Sequence, residues 1–337
     1  MRVHNLVILG ILSIVYLTVT VPLSEKTFKH CNLYQQNIQQ QVEILDVESR
    51  LLSGKEWGYA LFGKKNNMTI DAAMLSLSKA HESYQKAIKF SMYIVWISII
   101  FMLLIIVLYY KGDNFIKALV GCTAAVSLLA LYIGIYAPVL EIVAYSKDLE
   151  IPLALKLQDI LAVTDLGINS GSDLVNPLLK GWIGMEIPEL NLESLAGDQK
   201  VEMTALFQGN LYYFYQNKSA VGLINVLFDQ KNYVVGIALL LFSVIIPIIK
   251  LIITVLLTFI QSIRKNKVLM NLVNIIGKWS MADVFVAACF LSFLSFNNMS
   301  NQIETESNTL IGLYFFLSYV VFSLLSSTLL WLELKRK

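Results

Sequence analysis

Residues 233–260, YVVGIALLLFSVIIPIIKLIITVLLTFI, decide the fold class of this chain. About 20 consecutive apolar residues are enough for a helix to cross the roughly 30 Å hydrocarbon layer of a bilayer. A short basic loop follows, QSIRKNKVLMNLVNIIGK (261–278), and then a second apolar run, WSMADVFVAACFLSFLSF (279–296). Each run holds one ionisable residue, Lys250 in the first and Asp283 in the second. A charge inside hydrocarbon costs roughly 2.5–3.5 kcal/mol on insertion scales, so such a residue needs a partner or a task.

The rest of the chain agrees with a membrane protein. Over 337 residues, 56% are hydrophobic and only 15% charged, and the mean hydropathy is +0.64, which excludes an ordinary soluble domain. Four further stretches are long and apolar enough to span: Asn5–Leu23, Ser91–Tyr110, Ala118–Pro138 and Thr309–Leu332. The first reads as an uncleaved anchor, because no small-x-small cleavage site precedes Ser24. KGDNFIK, between the second and third spans, is short enough to make them antiparallel neighbours.

Two polar regions interrupt the spans. In 24–90, apolar residues recur at Cys31, Ile38, Val42, Leu45 and Leu52, then at Ile70, Met74, Leu77, Tyr84 and Ile88. These helical intervals predict two antiparallel helices packed by their stripes, with a tip around Trp57 to Phe62 that is hairpin core or a partner-docking surface. In 139–232, a helix is expected around Ile151 to Val163, a β-hairpin turning at Gly209 and Asn210, and a short helix over Ser219 to Asp229. NNMSNQIETESN, before the last span, reads as a polar loop. The fold expected is an all-α integral membrane protein with six transmembrane helices, an N-terminal outward helical hairpin and a small α+β outer loop domain. Its division is 1–117, carrying the hairpin, and 118–337, a four-span module carrying the loop 139–232.

Basic residues set the orientation. Arg2, Lys111, Lys117, Arg264, Lys265, Lys267, Lys278, Lys335, Arg336 and Lys337 fall on one side of a six-span arrangement, whereas the short opposite loop has Glu304 and Glu306 and no base. Both termini are therefore expected in the cytoplasm. The cysteines (Cys31, Cys122, Cys289) and histidines (His4, His30, His81) are too scattered for a metal site, so no metal and no cofactor is expected. No nucleophile-base pair, phosphate-cradling glycine loop or nucleic-acid signal is present, and no enzyme activity is expected.

The candidate site residues lie in two places. Lys250 sits about ten residues from the cytoplasmic end of its helix, roughly 15 Å deep, and Asp283 about five residues in, roughly 7 Å deep. A lysine stem reaching toward that end can meet the carboxylate. Three readings stay open for the pair: a fixed interhelical tie, a substrate-facing pair that binds a headgroup phosphate or gates, or a proton-coupling site. Pro247 leaves the carbonyl of Ser243 without its usual donor, so the helix kinks there or tolerates it in packing. Trp279 reads as an interfacial anchor, with Ser280 beside it. Tyr212, Tyr213, Tyr215 and Lys218 are expected near an outer mouth.

FSVIIPIIKL followed by GKWSMADVFV and preceded by YYFYQNKSAVGLI resembles the membrane module of the paraquat-inducible protein A family. The resemblance runs from about Ala118 to Leu332, and Pro138 in APVLEIVA resembles the proline that ends the module's first helix. It implies a multi-pass protein of the bacterial inner membrane that moves phospholipids to or from a periplasmic MCE-domain partner. Well-known members carry two modules with cysteine-rich zinc ribbons; this chain has one module and no CxxC, so zinc is not implied. The competing functions are a scaffold for a periplasmic complex and a proton-coupled transporter of a small solute.

Overall fold

The computed structural model describes residues 3–61, 67–112, 114–156, 200–260, 288, 300–301 and 303–335. In chain order these form α1 (Val3–Ile44), α2 (Val47–Leu51), α3 (Gly54–Leu61), α4 (Asn67–Tyr109), α5 (Phe115–Tyr136), β1 (Pro138–Lys156), β2 (Lys200–Ser219), α6 (Ala220–Asp229), α7 (Tyr233–Leu240), a π-helical turn (Leu241–Ile245), α8 (Ile246–Phe259), β3 (Ser300–Asn301), β4 (Ile303–Thr309) and α9 (Ile311–Lys335). Five helical segments are long and apolar enough to cross a membrane, with α7, the π-turn and α8 forming one of them. Every predicted span is thus accounted for except the fifth, 279–296, of which only residue 288 is described; Trp279, Ser280 and Asp283 lie outside the described residues.

The chain divides into two compact units. The first takes Met1–Asp46, Asp71–Ser146 and Tyr212–Lys337 and holds the apolar parts of the five described spans. Its centre is the antiparallel pair α5 and α9. Gly134 is what lets them close: a Cβ there would stand 2.8 Å from the backbone N and Cα of Phe316. The Ser127 hydroxyl donates across the same interface to the Tyr319 carbonyl at 3.4 Å. The pair then runs on as strands, since β1 pairs antiparallel with β4 from Leu140 opposite Thr309 to Tyr145 opposite Glu304, and Leu310 N–H donates to the Val139 carbonyl. At the far end the buried Lys117 and Glu333 approach to 3.9 Å.

The long helices α1 and α4 pack antiparallel, because Tyr16 stacks on Phe101 and Tyr34 meets Tyr84. Their seam keeps part of the predicted stripe, since Cys31 and Leu45 are buried and Tyr84 and Ile88 pack against the core, and departs from it elsewhere. On α4, Ala73, Ala80, Ala87, Ile94 and Phe101 are buried at seven-residue intervals, whereas Met74 and Leu77 are exposed, as is Leu52 beyond α1. The alanines, and not their bulkier neighbours Met74 and Leu77, therefore lie on the buried face of α4.

The second unit, Val47–Ile70 with Lys147–Leu211, has its own small core of Ala60, Ala205, Phe207 and Leu211. Trp57 packs edge-on to Phe207 and its indole N–H donates to the Leu51 carbonyl at 2.6 Å. Trp57 therefore belongs to a packed core.

The sheet has four strands in the order β2-β1-β4-β3, and it corrects three expectations. Residues Ile151–Lys156 are strand, not helix; the remainder of the expected helix lies outside the described residues. Gly209 and Asn210 do not turn the chain, because β2 continues through them. Gly209 holds φ +91°, and its N–H donates to the Asp148 carboxylate at 2.8 Å, so a local irregularity absorbs what looks in sequence like a turn. The loop before the last span contributes β3 and β4, which its polar composition concealed. The helix expected over 219–229 forms as α6, its first turn capped by the Ser219 hydroxyl, which accepts from Gly222 N–H.

Candidate functional site

Two sites emerge, one inside the spans and one on β1 and β2. The inner one begins with α8. Ser243, Pro247, Lys250, Thr254 and Thr258 are all buried, and spacings of three and four put them on one face. The missing N–H of Pro247 is accommodated by the π-helical turn directly before it, where Ile246 N–H reaches back to the Leu241 carbonyl. A π-turn at the proline is a specific form of the kink expected from sequence. The Thr254 hydroxyl donates to the Lys250 carbonyl at 2.8 Å and Thr258 to the Thr254 carbonyl at 2.7 Å. These hydroxyls are satisfied within their own helix and make the face polar at no unmet cost.

The facing helix α9 carries the same pattern. Tyr319, Ser323, Ser326, Leu330 and Glu333 recur at intervals of four and three, all buried, and α5 adds Thr123 and Ser127. The Ser323 and Ser326 side-chain oxygens have no hydrogen-bond partner among the described residues. Buried hydroxyls thus recur on α5, α8 and α9, and Lys250 on α8 is 3% exposed. An ammonium so deep in the apolar layer must be paired or neutral. Its predicted partner, Asp283, lies outside the described residues, as do Trp279 and Ser280.

The second site centres on Glu141 of β1, which is 3% exposed. The Tyr34 hydroxyl of α1 donates to its carboxylate at 2.8 Å, and Tyr215 of β2 donates to Oε1 at 3.0 Å. Asn217 Nδ2 donates in turn to the Tyr215 hydroxyl at 3.4 Å, and Gln35 Nε2 to the Asn217 carbonyl at 2.9 Å. Burial, reinforced by the adjacent Glu141 carboxylate, pushes the Tyr215 phenol well above its ordinary value. The same physics raises Tyr145, whose hydroxyl donates to Glu306 on β4. Tyr215 is thus a committed donor that joins two strands.

Tyr213, Tyr215 and Lys218 come together on β2 in a groove shared with Gln35, Gln39 and Asp46 of the α1 end. Tyr212 lies at the same place, its N–H donating to the Leu45 carbonyl and its hydroxyl accepting from Gln41. Lys250 and Pro247 form the other set, on α8. Sequence reasoning missed Glu141 and Tyr34. Glu141 stands three residues after Pro138 in an otherwise apolar run, and that isolation was the available signal.

Residues 205–335 match the family model of paraquat-inducible protein A. The matched stretch takes in most of β2, α6 through α8, β4 and α9, and is less than half of the chain. No curated protein and no solved structure matches the chain.

Proposed function

We propose, taking residues 205–335 as a paraquat-inducible protein A module, that this multi-pass membrane protein is a subunit of a lipid-trafficking system of the bacterial inner membrane. It hands phospholipids to or takes them from a periplasmic MCE-type partner and does no covalent chemistry. The observation that carries this reading is Lys250, buried on the face of α8 that also carries Thr254 and Thr258, in a bundle whose helices α5 and α9 bury further hydroxyls. An ammonium among hydroxyls suits a headgroup phosphate, while the apolar outer faces of the same helices suit acyl chains. Both termini are cytoplasmic in this reading.

The test is the lipid content of the purified protein. Phospholipid co-purifying at a defined ratio by native mass spectrometry, and falling in Lys250→Met, is the result expected. Loss of the gene is expected to raise outer-membrane permeability to detergents. Lipid-free protein together with unchanged permeability would overturn the proposal and leave a scaffold as the better account. The paired variant Lys250→Met with Asp283→Leu separates the two further: a scaffold keeps function, because an apolar swap preserves packing.

A further inference from the structure

Four lysines gather where the two long helices leave the apolar layer. On α1, Lys26 and Lys29 follow the apolar run 5–23 by three and six residues; on α4, Lys86 and Lys89 precede the run 91–110 by five and two. At a rise of 1.5 Å per residue they lie about 3–9 Å past the hydrocarbon, the depth of the headgroup layer. The ring pairs Tyr16–Phe101 and Tyr34–Tyr84 fix the register of the two helices and set Lys29 abreast of Lys89. Two further contacts bring the cations to one place. His30 stacks on Phe90, with the charges of Lys29 and Lys86 both acting on its ring, and the Lys26 ammonium stands 5.7 Å from the Phe90 centroid.

All four lysines are exposed. Ala87, Ser91 and Ile94 mark the buried face of α4, and Lys86, Lys89 and Tyr93 form a row on the opposite face. Helical spacing continues that row through Trp96, Ile100 and Val107, all exposed, which is the stripe that meets lipid. Acids are few at this level. Glu82 pairs with Lys86 at 2.7 Å, both side chains being more than half exposed, and Glu25 stands one turn before Lys29. Lys26, Lys29 and Lys89 have no ion-pair partner among the described residues.

We infer that this belt holds a phospholipid of net negative charge, its phosphate between Lys29 and Lys89 with Lys26 and Lys86 beside them, and its acyl chains along the stripe from Tyr93 to Val107. A zwitterionic headgroup would bring a second ammonium into a cluster of ammoniums, and like charges at close range repel. The occupant is a lipid, and not an acidic protein segment, because the lysines stand at headgroup depth directly beside a lipid-facing apolar stripe. These residues lie outside the stretch 205–335 that matches the family model. The inference does not rest on the lipid-trafficking reading, since a resident lipid would satisfy the same groups.

Native mass spectrometry of the full chain, released from nanodiscs of equal parts phosphatidylethanolamine and phosphatidylglycerol, tests it. Phosphatidylglycerol is expected to be enriched about tenfold among the retained lipids, and Lys29→Gln with Lys89→Gln to lose most of that enrichment, the scale of two lysines at a charged surface. Both positions are exposed, so the variant keeps the fold, and an unchanged unfolding midpoint checks this. Lys79→Gln removes the same charge from α4 seven residues farther from the bilayer than Lys86 and is expected to leave the enrichment intact. In a second arm, phosphatidylglycerol with a photoreactive headgroup is expected to crosslink within 24–33 and 86–93, and to lose those crosslinks in the double variant. Retention of the two lipids in the nanodisc proportion, an equal loss of enrichment in Lys79→Gln, or crosslinks confined to other segments would overturn the inference.

Discussion

Glu141 is held out of water by phenolic hydroxyls from two other elements, and no cation pairs with it among the described residues. Charge-assisted hydrogen bonds are about twice as strong as neutral ones, which lets hydroxyls do what a salt bridge would otherwise do. Glu141→Ala strands the Tyr34 and Tyr215 hydroxyls, at about 1–3 kcal/mol for each group left unmet. A thermal unfolding midpoint clearly below that of Glu141→Gln, which keeps an acceptor, is the expected outcome. Tyr215 makes a pH prediction. Its folded-state pKa is raised above the unfolded value, so its contribution is fully present below about pH 10 and is lost as the pH rises further. Melts of the native protein and Tyr215→Phe at pH 8 to 11.5 are expected to differ by a constant amount up to about pH 10 and to converge above it.

At the scale of elements, two close approaches decide how the helices and strands meet. Alanine normally favours a helix interior over glycine by about 1 kcal/mol. Gly134→Ala is expected to do the reverse and destabilise by about 1–3 kcal/mol, because its Cβ meets backbone of α9 and not a movable side chain. Thermal unfolding in detergent reads the sign directly. In the second unit, Arg50 of α2 donates from Nε and Nη2 to Glu56 of α3 at 3.0 and 2.9 Å, and to the Gln208 carbonyl of β2 at 3.3 Å, with both charged groups buried. Removing one member of such a pair costs about 3–5 kcal/mol, whereas replacing both with apolar residues is far milder. Hydrogen exchange over 47–61 is expected to accelerate strongly in Arg50→Met and to recover in Arg50→Met with Glu56→Leu.

For the whole molecule, the antiparallel path of α5 into β1 and of β4 into α9 puts the sheet at one end of the spans and the Lys117–Glu333 pair at the other. The proposed orientation, with both termini cytoplasmic, puts that second end in the cytoplasm. In a cysteine-free background, Gln230→Cys is expected to react with a membrane-impermeant maleimide from outside the inner membrane, and Lys335→Cys only after permeabilisation; the opposite pattern would invert the topology. Composition and hydrophobic run length determined the membrane class and five of the spans now described, through the cost of exposing backbone to lipid, and helical spacing and local propensity determined the extension of α1 and α4 and the position of α6. Lys250 and Pro247 were legible for the same reason, since a charge or a proline in an apolar run is conspicuous wherever the run packs. The alanine seam of α4, the strand at Ile151–Lys156, the unbroken β2 and the pairing of β4 were decided by tertiary contact. Which stripe of a helix is buried depends on how closely the neighbour approaches, and a polar strand is stable only once a partner takes its hydrogen bonds. Glu141 belongs with these: nothing beside it in the sequence explains a buried carboxylate, and its hydroxyl partners stand 107 positions before it and 74 after it in the chain.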